Sequence, residues 1–157
     1  MSKQPLSGAE LHFRSLEKLY AAAPINAVFQ SRLTIPSEGR ARIAFEVTPD
    51  SYHAAGAAHG TIYFKMLDDA AFYAANTLVT DRFLLTTGFN LHFTKPVRAG
   101  KVMAEGSWIS GRRRVFVAEA RLIDAEGEEI GRGTGTFMKS RIPLSGLSGY
   151  GATKEVD

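Results

Sequence analysis

The chain has 157 residues, 45% of them hydrophobic and 22% charged, with a formal net charge of +3. Those proportions suit a folded domain with a sizeable core; no apolar run reaches the roughly 20 residues of a membrane span, and the lack of cysteine excludes disulfides, thiolate nucleophiles and cysteine zinc sites. The charge is too mild to demand an anionic partner, no aromatic-interleaved basic stripe suggests nucleic acid, and MSKQPLSGAE at the N-terminus lacks the apolar segment of a secretion signal, so a cytoplasmic location is expected.

In chain order, Ser7 is placed to cap a first helix that runs to about Ala23, with Leu11, Leu16, Leu19 and Tyr20 on its apolar side and Pro24 at its end. Two strands, Ala27 to Ile35 and Arg40 to Val47, flank the turn residues Pro36-Ser37-Glu38-Gly39 and read as a hairpin. A loop from Pro49 to Ala58 leads into a long helix, Thr61 to about Val79. Four more strands are expected at Leu85 to Phe93, Val102 to Ser110, Arg113 to Asp124 and Glu129 to Ser140, joined by turn-like segments. The tail, from Ile142 to Asp157, is rich in Gly and Ser and is expected to be disordered. Helix, two strands, long helix and four strands describe one α+β domain, residues 1–157, in which an antiparallel sheet packs on a helix.

A half-exposed helix shows one apolar stripe and one broad polar face. The long helix does not. Ile62, Met66, Ala70, Tyr73 and Thr77 occupy one side, Phe64, Ala71, Phe72, Ala75 and Leu78 much of the other, and the polar stripe is only Lys65, Asp69 and Asn76. Such a helix is buried nearly all round. Asp69 lies four residues after Lys65, where an ion pair accounts for it. Asp68 sits between Phe64 and Phe72 at i−4 and i+4; an ionised carboxylate among apolar groups is costly, which marks it as a candidate general base or nucleophile.

His59 and Gly60 directly precede this helix, so the amides of Gly60 and Thr61 belong to its unpaired first turn, at the positive end of the dipole. Such a turn can hold a polarised carbonyl or a developing oxyanion. Asp68 follows His59 by nine residues, which at the helical rise is on the order of 13 Å. The two cannot meet across one substrate atom within a chain, so a common site requires a two-fold dimer. The cluster Arg112-Arg113-Arg114 at a strand entrance reads either as a solvated turn or as a phosphate site. His12 and His92 read as structural, and no histidine pair has the helical spacing of metal ligands.

The His-Gly turn, Asp68 nine residues on, and the later Asn90…Pro96…Gly100 segment resemble the hotdog-fold acyl-CoA thioesterases of the phenylacetate-degradation type, over about residues 25–140. The resemblance implies a six-stranded antiparallel sheet wrapped around the long helix, with the first helix as an N-terminal addition. It implies homodimers with shared active sites, which often pair into tetramers, an acyl-CoA substrate, and no cofactor beyond the coenzyme A of that substrate. By the same resemblance Asp68 is the base or nucleophile, the Gly60 amide polarises the thioester carbonyl, and His59 orients the group. Thr86 positions Asp68 and water, with Thr87 an open neighbour, and Gly111 with Arg112, Arg113 and Arg114 meets coenzyme A. Two departures stand out: Thr61 replaces a second glycine, and His53 replaces an Asn or Gln that donates to the carbonyl. Phe64, Tyr63, Phe72 and Tyr73 are near enough to shape an acyl pocket. A hotdog hydratase or dehydratase and a non-catalytic acyl-CoA-binding domain are the alternative functions.

Overall fold

The computed structural model describes residues 4–151. Helix α1, Gly8–Ala22, opens on a capping box: Ser7 Oγ accepts the Glu10 amide and the Glu10 carboxylate accepts the Ser7 amide at 2.8 Å, satisfying two otherwise unpaired donors. A four-residue helix α2, Ile25–Val28, follows, where the sequence suggests the start of a strand. The β-prone residues Val28 and Phe29 misled there, because Pro24 favours a helical first turn. Strands β1, Ser31–Ser37, and β2, Arg40–Val47, form the expected hairpin. Helix α3 spans Gly60–Asn76, and strands β3, Arg82–Phe93, β4, Gly100–Ser110, β5, Val115–Ile123, and β6, Glu129–Pro143, complete the order.

The six strands make one antiparallel sheet in the order β1-β2-β4-β5-β6-β3. Sheet curvature lets α3 contact β2, β3, β4, β5 and β6, which is the hotdog arrangement. Burial alternates along β2 and β5: Phe116, Ala118, Ala120 and Leu122 face the helix, while Val115 and Arg121 face out. At Gly106 the approach is closest, since a Cβ there would lie 2.0 Å from the Ala70 carbonyl oxygen. Only glycine lets β4 come so near to α3.

The expectation of a disordered tail is overturned as far as Gly151. β6 extends to Pro143, a 3-10 turn covers Leu144–Gly146, and Leu144 is fully buried, a burial that contributes about 2 kcal/mol. Leu147 and Tyr150 pack on the core as well. Three apolar residues at intervals of three anchor a segment whose glycines and serines suggested disorder. The remainder of the tail, 152–157, lies outside the described residues.

Candidate active site

The two adjacent aspartates face different surroundings. Asp69 pairs with Lys65 at 2.5 Å, and the Lys65 ammonium also donates to Asn26 Oδ1 at 2.7 Å. Lys65 is buried under α1 and α2 beside Tyr20. Lys65 and Asp69 are therefore tied into a network with α1 and α2, with the Asp69 carboxylate 22% exposed at its edge. Asp68 lies on the one open face of α3, next to Phe64, which is 42% exposed. Burial pushes the Asp68 carboxyl up to about 6, and Asp69 pushes in the same direction, against a hydrogen bond from Thr86 and the charge of Lys65. A carboxyl near that value can accept a proton at neutral pH and return it.

Thr86 Oγ1 donates to Asp68 Oδ1 at 2.9 Å. A register shift between Thr86 and Gly88 in the pairing of β3 with β6 explains how. Leu84 and Thr86 face the helix, Thr87 is the extra residue, and beyond it Phe89 and Phe93 face inward, contacting Phe64 and Tyr63. The bulge switches the inward set from even to odd numbers. Thr87 turns away and bonds Thr136, so of the two threonines it is Thr86 that bonds Asp68.

At the other end of α3, His59 is the N-cap. Its Nδ1 accepts the Thr61 amide at 3.0 Å and the Thr61 hydroxyl at 2.9 Å. Nδ1 thus holds a lone pair, and the neutral ring carries its proton on Nε2. This corrects the expectation of two free amides: the His59 ring consumes that of Thr61, and the Gly60 amide alone remains without an acceptor among the described residues. The Thr61 hydroxyl likewise serves His59. His53 repeats the pattern, its Nδ1 accepting the Ala55 amide at 3.0 Å. The bonds His53 N–H to Ala57 O and His59 N–H to Ser51 O, with the bridge Tyr52–Ala58, form a small ladder. Residues 51 and 59 face each other, so His53 and His59 fall on one side of it. Both present an Nε2–H.

Three of the four aromatics considered for an acyl pocket belong to the core instead. Tyr63, Phe72 and Tyr73 are buried, Tyr73 against Tyr20 and Phe72 against Phe83 and Phe137; Phe64 alone stays open. Sequence reasoning also passed over Phe93, whose ring lies 3.1 Å from a Cβ built on Gly60 and is 49% exposed; its position as the last residue of β3 gave no sign of that contact.

The β4–β5 turn carries Gly111 and the three arginines. Gly111 has φ +91°, and a Cβ would meet the Val115 carbonyl oxygen at 2.0 Å, so this turn needs glycine. Arg112 stacks on Trp108 at 4.5 Å, and Trp108 Nε1 donates to the Gly111 carbonyl. Arg113 and Arg114 are exposed and precede β5, which starts at Val115, two residues later than expected. Phe116 pairs with Phe137, which pairs with Thr86, so the turn sits at the Thr86 end of the sheet, two strands away, about 10 Å.

The thioesterase-superfamily family model matches residues 55–130, which include the His-Gly turn, α3, Thr86 and the arginine cluster. That match takes in just under half of the 157 residues, and the sheet and helix around it have the hotdog arrangement. Among solved structures, Escherichia coli PaaI, from the phenylacetic acid degradation operon, superposes with a TM-score of 0.79 at 16% identity, over 87% of this chain and 99% of that one. A Haemophilus influenzae thioesterase superposes with a TM-score of 0.72 at 16% identity, over 87% and 92%. In sequence, a Saccharolobus solfataricus protein with a provisional esterase name is 26% identical over 104 residues, 66% of this chain and 69% of that one.

Proposed function

We propose that this protein hydrolyses an acyl-CoA thioester, with Asp68 as general base, in a site that two subunits share. The observation that carries the reading is the Asp68 carboxyl on the open face of an otherwise buried helix, held at Oδ1 by Thr86. Oδ2 is then the atom that takes a proton from water as its oxygen attacks the thioester carbonyl carbon. The developing oxyanion needs donors in place. The Gly60 amide at the positive end of α3 is one, with the Nε2–H groups of His59 and His53 beside it. Collapse of the tetrahedral intermediate breaks the C–S bond and releases the acid and the coenzyme A thiol, with the proton returned through Asp68.

Sharing follows from length. Gly60 and Asp68 are about 12 Å apart along α3, so each subunit contributes the base to one site and the amide to the other. β3 supports such a dimer: it is a long edge strand, with Leu85 and Phe93 exposed along it. An unpaired edge of that length invites a partner strand. In the same reading Arg113 and Arg114, on a turn fixed by Gly111 and by Arg112 stacked on Trp108, meet the phosphates of coenzyme A.

The test is thiol release from a panel of straight-chain and aryl acyl-CoA substrates. Turnover that vanishes in Asp68→Asn, with the fold retained, is the expected result; full turnover in that variant on the best substrate ends the proposal. Sharing has its own test. Gly60→Pro deletes the amide with little backbone strain, because proline fits the first helical position and His59, at φ −66° and ψ 146°, already has the extended backbone that precedes proline; the Cβ it adds meets the Phe93 ring at 3.1 Å. Mixing inactive Asp68→Asn and Gly60→Pro subunits in equal amounts returns about a quarter of wild-type activity, since half the dimers are mixed and each has one intact site. No recovery would refute a shared site.

A further inference from the structure

Asn76, the last residue of α3, is completely buried, and the chemistry proposed above does not use it. Its side chain is fully engaged. Nδ2 donates to the carbonyls of Val79 at 3.1 Å and Arg82 at 3.2 Å, and Oδ1 accepts the Leu84 amide at 2.9 Å. Leu84 lies two residues before Thr86, and Asn76 lies two helical turns beyond Asp68. One planar amide thus ties the helix that carries the carboxylate to the strand that carries the hydroxyl. An aspartate would lack both donors and a leucine all three groups.

The backbone of Asn76 is held from the other side. Its carbonyl oxygen accepts from His12 Nε2 at 2.9 Å, and His12 Nδ1 meets the Tyr150 hydroxyl at 2.7 Å. A carbonyl only accepts, so the His12 proton is on Nε2 and the Tyr150 hydroxyl donates to Nδ1. His12 belongs to α1 and Tyr150 to the C-terminal segment, both outside residues 55–130, where the family model matches. The two ends of the chain therefore close on the residue that joins α3 to β3.

We propose that Asn76 is a positioning residue for the Asp68–Thr86 pair, held in turn by His12 and Tyr150; the proposal rests on the reading of that pair as catalytic. Within the chain β3 pairs with β6 alone, and that pairing carries a bulge at Thr87, so it sets the height of Thr86 against α3 loosely. Asn76 sets it from the helix itself. A shift of about 1 Å breaks a hydrogen bond of this length, and misplacement on that scale costs up to about a hundredfold in rate.

A double-mutant cycle on the full chain tests this, crossing Asn76→Ala with Thr86→Val and following acyl-CoA hydrolysis. Each single variant is expected to lower kcat about tenfold with KM nearly unchanged, and to move the acid limb of kcat/KM to higher pH. The charged neighbours of Asp68, which are Asp69 and Lys65, are untouched by either change. The double variant is expected to be no slower than Thr86→Val alone. Effects that multiply to about a hundredfold mean that Asn76 acts apart from Thr86, and overturn the proposal. Should Asn76→Ala fail to fold, His12→Phe decides: it keeps a ring and removes both nitrogens. The expected result is about a threefold loss in kcat with the same limb shift, absent when Thr86 is already valine. A lower Tm with unchanged kcat and limb overturns the positioning role. Turnover that survives Asp68→Asn would instead overturn the catalytic reading beneath it.

Discussion

Asp68 and Asp69 differ by 100° around one helix, and their surroundings differ more than their chemistry. Asp69 faces α1 and α2, where Lys65, Asn26 and Tyr20 close a mostly buried polar network around it. Asp68 faces the open side, where its one side-chain partner is the Thr86 hydroxyl. Both carboxyls are pushed up by burial. A raised value alone therefore does not separate a structural carboxylate from a reactive one. What separates them is whether the second oxygen is committed to a cation or left for a ligand.

The sharpest way to break that contrast is to neutralise each in turn. Asp68→Asn is expected to lower kcat about a thousandfold, the range of a lost general base, without lowering Tm. Asp69→Asn is expected to leave kcat per folded molecule near wild type and to destabilise the fold by about 3 kcal/mol in a denaturant melt, because it strands Lys65. Equal loss of turnover in both variants would erase the distinction.

Gly60→Pro is expected to cost about a hundredfold in kcat, the loss typical of one oxyanion donor, while Gly60→Ala, which keeps the amide and adds the same Cβ against Phe93, costs far less. A pH profile sharpens the contrast further. With Asp68 near 6, kcat/KM falls as pH drops through about 6, and Thr86→Val moves that fall to higher pH, since its hydrogen bond favours the ionised form. For stability the sign is opposite. The folded state holds a proton on Asp68 at pH values where the unfolded chain, near its ordinary 3.8, has lost it, so this group's contribution declines as pH rises from about 4 to 6. Urea melts across that window are expected to show the decline in wild type and a smaller one in Asp68→Asn. The smallest expected effect is at the arginines: Arg113→Gln with Arg114→Gln raises KM several-fold, less so at high salt, with kcat unchanged.

The sequence made the element order readable because each connection carries turn residues, and the all-round apolar character of α3 announced its burial. His59, Gly60, Asp68 and Thr86 were reachable by spacing and resemblance. Other features were hidden for physical reasons. A bulge leaves no mark in a run such as Thr86-Thr87-Gly88, because periodicity there depends on the partner strand. The capture of the Thr61 amide by His59 is a rotamer choice, invisible in residue types. The tail misled because three anchors outweigh the composition around them. Asn76 read as one member of a polar stripe, whereas its position at the helix end gives it four hydrogen-bonded neighbours.

The bulge at Thr87 has a consequence for how this molecule tolerates change. One strand carries two alternations out of phase, with the hydroxyl that meets Asp68 before the slip and the rings that meet α3 after it. Substitutions on the solvent side of either half are free to drift without touching the other half. Loss of a single residue at the slip is different: it would turn Thr86 outward or expose Phe89 and Phe93 together. Length at this point is therefore more tightly constrained than identity, and Thr87 is dispensable as a side chain yet not as a link.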